Sequence, residues 1–199
     1  MASIKEDQLP KICLEQKLTS KDPITQKLIG HGITDFGSLL SYTRAIPYGR
    51  TADRRDFGLV VSENKGTCSS KHALVKMLAD LNDFTNVQLI LCLFKMNKQN
   101  TPGIGNVLSD HQIPYLPEAH CYLQVLDKKI DLTSSDSELS KIEQDILQEL
   151  PIDPEQIAEF KVDFHKAYLE DWIIQQKMNK NFETIWIIRE ACIEALSIE

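Results

Sequence analysis

The chain has 199 residues, 42% of them hydrophobic and 26% charged, with a formal net charge of −7. That length suits a single domain, and the apolar share is enough for a packed core, which excludes extensive disorder. The acidic balance exerts no general pull on phosphate backbones, so nucleic acid is not an expected partner.

The N-terminus, Met1-Ala-Ser-Ile-Lys-Glu-Asp7, puts charge where a signal peptide needs apolar residues. Residues 1–23 are polar and mixed and read as loosely packed. Thr34 or Asp35 can cap a helix that carries Phe36, Leu39 and Leu40 inward and stops before Pro47. Ile46-Pro47-Tyr48-Gly49-Arg50 is rich in turn formers, and Phe57 to Val61 reads as a short strand. After the loop Ser62–Gly66, Thr67 caps a helix to about Asp80 with Ala73, Leu74, Met77, Leu78 and Leu81 on its apolar face. Val87 to Met96 is a nearly continuous apolar run, the pattern of a buried strand. Thr101-Pro-Gly103 breaks the chain. Ala119–Leu126 and Lys129–Leu132 then read as a hairpin turning at Asp127-Lys128. From Leu139 onward the pattern is helical: Leu139–Leu150, then about Glu155–Met178, then about Phe182–Leu196. Trp172, Ile173, Trp186, Ile187 and Ile193 form core-facing stripes. The expected class is α+β, with a core over roughly 40–135 and a helical extension over 136–199.

No apolar run approaches the roughly 20 residues that span a bilayer, so the expected location is cytoplasmic, without membrane association. From Ser134 to Glu199 there are 15 acidic and 6 basic residues, against 14 and 16 before it, which reads as solvated helix faces. The five cysteines are odd in number and contain no CxxC, unlike a disulfide framework or a zinc ribbon. They read as reduced, mostly buried thiols.

The segment Gly66-Thr-Cys68-Ser-Ser-Lys71-His72 places a cysteine in the first turn of a helix. Backbone N–H groups and the positive dipole end stabilise a thiolate there, and the same N–H groups can donate to an oxyanion. Gly66 lets the backbone turn sharply and leaves room for a substrate. Pro117-Glu-Ala-His120 puts a histidine at the start of a strand as a candidate base. Ile130-Asp131-Leu-Thr133 offers a carboxylate to orient its ring. With a turn at Asp127-Lys128, Asp131 falls opposite Gln124, on the same face as His120 but four residues, about 13 Å, along the strand. A three-residue turn would set Asp136 opposite His120 instead, so both acids stand as candidates. The rival for these residues is zinc, with Cys68 and His72 at i and i+4 and His120 and Cys121 completing four ligands. It is disfavoured because strand neighbours point to opposite faces.

Cys68 opening a helix, His120 opening a strand, and Asp131 on the next strand with Thr133 after it resemble the transglutaminase-like superfamily, the papain-related group that includes peptide N-glycanases. Ile46-Pro47-Tyr48-Gly49-Arg50 upstream of Gly66-Thr67-Cys68 resembles one uncharacterised branch of it. The resemblance covers roughly residues 40–135. It implies a helix bearing the cysteine packed on an antiparallel sheet, and amide-bond chemistry without a cofactor. Cys68 would be nucleophile, His120 general base and acid, and Asp131 the orienting group. Tyr48 and Arg50 would line a cleft for a peptide-like or amide-containing substrate. Arg50, Arg54 and Arg55 could hold an anionic group there or pair with the acidic helices. The alternative is a transglutaminase-like module that has lost turnover and serves in binding or as a scaffold.

Overall fold

The structure, a computed structural model, describes residues 9–196; the charged segment Met1–Asp7 lies outside them. It is α+β. Eight helices are formed among the described residues: α1 (Lys11–Leu14), α2 (Pro23–Gly30), α3 (Phe36–Ala45), α4 (Gly58–Ser62), α5 (Cys68–Leu81), α6 (Val107–Asp110), α7 (Glu159–Gln175) and α8 (Phe182–Ala195). Four strands, β1 (Val87–Met96), β2 (Leu116–Val125), β3 (Lys128–Ile130) and β4 (Ile146–Ile152), form a sheet in the order β3-β2-β1-β4. The chain divides into two compact units. One comprises Met1–Ile90, Cys121–Glu138 and Pro151–Ala158, the other Leu91–His120, Leu139–Leu150 and Glu159–Glu199. None of the helices formed by the described residues is long and apolar enough to cross a membrane.

The first unit is built around α5, which packs against α3, α4 and the 3₁₀ turn Pro154–Ile157. Its Ala73, Leu74, Val75, Leu78 and Ala79 are fully buried. Residues 9–23, the described part of the N-terminal stretch expected to be loose, are pinned instead. Leu9 and Leu18 are buried, and Asn82, at the C-terminal end of α5, accepts the N–H groups of Thr19 and Ser20 at 2.6 and 2.8 Å. The Asn82 side chain also donates to the Leu78 carbonyl and to Thr25 Oγ1. The helix α2, absent from the sequence reading, begins at Pro23 behind an Asp22 cap that accepts from Ile24 and Thr25.

Three further expectations are corrected. Phe57–Val61 is not a strand: Asp56 accepts the Gly58 N–H, and α4 buries Val60 and Val61. Burial in the tertiary structure overrides the β preference of valine. Leu139–Leu150 is not a helix. Two 3₁₀ turns, Leu139–Lys141 and Glu143–Asp145, lead into β4, an edge strand in which Pro151 is tolerated. The hairpin turns at Leu126-Asp127, one residue earlier than expected, with Leu126 in the left-handed region at φ 56°.

In the second unit α8 packs against α6, α7 and the 3₁₀ turn Pro102–Ile104. His165, Leu169 and Trp172 form the buried stripe of α7, and Trp172 Nε1 donates to the Tyr115 hydroxyl at 3.1 Å. On α8 the buried residues are Ile185, Ile188, Cys192 and Ile193. Ile187, expected in the core, is exposed.

Candidate active site around the Cys68 helix

Cys68 is the first residue of α5, as expected, and it is nearly buried at 9% exposure. The helix start is set by a capping box. Thr67 Oγ1 accepts the Ser70 N–H at 3.3 Å, and Ser70 Oγ accepts the Thr67 N–H at 2.9 Å. The Cys68 Sγ lies 3.7 Å from Ser69 Oγ. The loop entering the helix is held by the turn-rich segment upstream: the Gly66 N–H donates to the Pro47 carbonyl at 3.0 Å, and the Gly49 N–H to the Gly66 carbonyl at 3.2 Å. Tyr48 and Gly66 thus form a parallel bridge that joins the two short motifs of the sequence. Tyr48 is half-buried, whereas Arg50, Arg54 and Arg55 are exposed.

Gly66 has a different reason from the one expected. A Cβ at this position would lie 2.6 Å from Lys71 Cγ and 3.2 Å from both Ser70 Oγ and Val60 Cγ1. The missing side chain makes room for the stem of Lys71, a protein group, rather than for a ligand.

Lys71 is the feature that the sequence reading passed over. It is fully buried. Its ammonium donates to the carbonyls of Ile46 at 2.7 Å, Thr133 at 2.9 Å and Arg44 at 3.3 Å. Burial pushes its pKa down to about 8, against the pull of the Asp131 and Cys68 charges and with a further push from Arg44. The signal was present in the sequence: Lys71 occupies the buried stripe of α5, in the i, i+3, i+4, i+7 series with Leu74, Val75 and Leu78.

His72 is also fully buried and has a structural role. Its Nε2 accepts the Leu132 N–H at 2.7 Å, so its proton sits on Nδ1, which donates to the Cys68 carbonyl at 2.6 Å. Both ring nitrogens are therefore engaged with backbone, which disfavours His72 as a zinc ligand. No group of three or more His, Cys, Asp or Glu among the described residues is arranged to hold a metal.

Asp131 follows β3. Its Oδ1 accepts both the N–H of Thr133 at 2.9 Å and the hydroxyl of Thr133 at 2.6 Å, and lies 3.7 Å from His72 Nε2. With the tautomer above, that approach carries no proton between them. Lys71 and His72 thus tie the 131–133 segment to α5 through two consecutive side chains. Arg44 holds its continuation by donating to the carbonyls of Ser134 at 3.2 Å and Ser137 at 2.8 Å.

The hairpin register is Leu123↔Ile130, Gln124↔Lys129 and Val125↔Lys128. Asp131 is therefore not opposite Gln124. One further step of the register sets it level with Tyr122 rather than Gln124. The turn has two residues, so the longer turn that favoured Asp136 is not formed. His120 lies within β2 and is half-buried, with its ring edge-on to Phe94 at a centroid distance of 6.2 Å. Cys68 and Asp131 belong to the first unit and His120 to the second. Of the other thiols, Cys92, Cys121 and Cys192 are buried and Cys13 is half-exposed. No family model, curated protein or solved structure matches this chain.

Proposed function

We propose that the protein is a cysteine-dependent acyl-transfer enzyme that hydrolyses an amide-type bond in a peptide-like substrate. The observation that carries this reading is the placement of Cys68. It opens a capped 14-residue helix, and the segment bearing Asp131 is anchored to that same helix. The helix N-terminus favours the thiolate over the thiol. In the proposed reaction the Cys68 proton already rests on His120, and the thiolate attacks the carbonyl carbon and forms a C–S bond. The C–N bond then breaks as His120 returns that proton to the departing amine. Water, deprotonated by His120, attacks the thioester, and the thiolate is regenerated as the acid leaves. Asp131 orients the ring, and the segment around Tyr48 and Arg50 lies beside the loop that enters the helix, where an extended substrate would run. The near-burial of Cys68 favours one second reading, a transglutaminase-like module without turnover that binds a partner.

Alkylation with iodoacetamide followed by mass mapping separates these readings. Cys13 is the more exposed thiol, and burial pushes Cys192 up to about 11. An unactivated protein would therefore label at Cys13 first. The expected result is labelling of Cys68 ahead of Cys13 near neutral pH, slowed by about tenfold or more in His120→Ala. Labelling of Cys13 with Cys68 inert would remove the catalytic reading. A reactive Cys68 without turnover on any amide would leave the binding module.

A further inference from the structure

Resting on the proposed thiol chemistry, we infer that Lys71 is a positioning residue whose buried ammonium holds Cys68 as a thiolate and fixes the Asp131 segment against the helix. A lysine three residues after Cys68 lies on the adjoining turn of α5, so the two side chains share one face. Its ammonium is clamped by carbonyls from three places: the end of α3 at Arg44, the start of the turn-rich segment at Ile46, and Thr133, two residues after Asp131. The end of α3, the turn-rich segment and the stretch after Asp131 are thereby tied to one charge on α5. Gly66 is shaped to the stem of this side chain, since a Cβ there would meet Lys71 Cγ at 2.6 Å. The site is thus built around the lysine at both its stem and its tip.

Carbonyls orient an ammonium but do not neutralise it. The charged groups that act on Lys71 are Cys68 on its own helix, Asp131 on the segment after β3, and Arg44 on α3. Cys68 and Asp131 favour the ammonium, and Arg44 opposes it. The interaction is reciprocal, so an ammonium supported by a Cys68 thiolate supports that thiolate in turn. In a buried setting this attraction is screened little by salt. A lysine carrying only structural hydrogen bonds would need no such thiolate partner, and its replacement would change stability alone.

The test is the pH dependence of the Cys68 alkylation rate with iodoacetamide. Lys71→Gln keeps an amide donor for the carbonyls and removes the charge, whereas Lys71→Arg keeps the charge. Lys71→Gln is expected to raise the inflection for Cys68 by about one pH unit, with roughly tenfold slower labelling at pH 7 and an unchanged rate at the alkaline plateau. Lys71→Arg is expected to stay within a few tenths of a unit of the wild type. In the wild-type protein, which needs no variant to fold, the inflection is expected to be the same at low and high salt. An unchanged inflection in a folded Lys71→Gln, or a wild-type inflection that climbs with salt, would overturn the inference while leaving a reactive Cys68. Failure of the thiol reading itself would show differently, as a Cys68 that does not react before Cys13 in any of the proteins.

Discussion

Glu118→Gln is expected to destabilise the protein by roughly 3–5 kcal/mol, the range for breaking a buried ion pair by removing one partner. Glu118 is buried on β2 and receives both arms of Arg189: Nε at 2.8 Å and Nη2 at 2.5 Å. Arg189 Nη1 reaches Glu190 at 2.6 Å, and its guanidinium lies over the Trp186 ring. His165 Nε2 donates to the Pro117 carbonyl at 2.8 Å and stands 3.9 Å from Glu118. Burial alone would raise the Glu118 pKa. The charges of Arg189 and His165 and the Arg189 hydrogen bonds outweigh it and hold Glu118 at about 2, below its ordinary 4.5. Glutamine keeps the shape and loses the charge, and leaves the guanidinium without its buried partner. A folded pKa lying below the unfolded one stabilises the protein above pH 4.5, and the gain fades as the pH falls through about 2. The contribution is on the order of 3 kcal/mol. Chemical denaturation should therefore show wild type losing this component across that window, while Glu118→Gln lacks it. Glu190→Gln, a change at a more exposed carboxylate, is expected to cost about 1 kcal/mol or less. Equal, small effects for the two variants would show that the pair does not anchor α8 to the strand.

Asp131→Asn is expected to slow Cys68 alkylation by about tenfold or more and to lower turnover by up to roughly 10⁴-fold, the scale set by loss of the orienting carboxylate in a catalytic triad. The amide oxygen can still accept from the N–H and hydroxyl of Thr133, so the turn after β3 is retained. The proposed chemistry gives this carboxylate two routes to the thiol: orientation of His120, and support of the Lys71 ammonium, on which Asp131 also acts. A double-mutant cycle separates them. If Asp131 acts through His120, adding Asp131→Asn to His120→Ala has no further effect on the rate at neutral pH. If it acts through Lys71, the effect survives in the His120→Ala background. Asp136→Asn is expected to be silent, because the hairpin turn has two residues and the longer turn that would set Asp136 opposite His120 is not formed. Equal loss in Asp131→Asn and Asp136→Asn would mean that neither orients the base.

The parts of the fold legible in the sequence were those with strong local signals. The apolar run Val87–Met96 is β1 residue for residue, and Thr67 marks the start of α5. The elements misread were those decided by tertiary structure. Val60 and Val61 carry a strand preference but are buried in a single helical turn, and Ile146–Ile152 becomes an edge strand only because β1 lies beside it. The hairpin slipped because Leu126, a residue with no liking for φ above zero, occupies the turn, and an Asp-Lys pair looked the better turn former. At the site, Cys68 was visible from its Gly-Thr cap. Lys71 was hidden by its chemistry, since a lysine in a helix is read as a surface charge unless its place on the apolar stripe is checked. His72 was visible as a histidine, but its role depends on the Leu132 N–H, which is 60 residues away.

An acyl-enzyme on Cys68 is the intermediate that the proposed chemistry requires. The most direct measurement is intact and peptide mass analysis of the protein after brief exposure to an activated ester such as p-nitrophenyl acetate, in wild type and His120→Ala. The expected result is an acetyl group on Cys68 that appears and is then lost by hydrolysis in wild type. In His120→Ala it persists once formed, because the base that activates water is gone. Acetylation confined to Cys13 or to surface lysines, with Cys68 unmodified in both proteins, would contradict acyl transfer through Cys68.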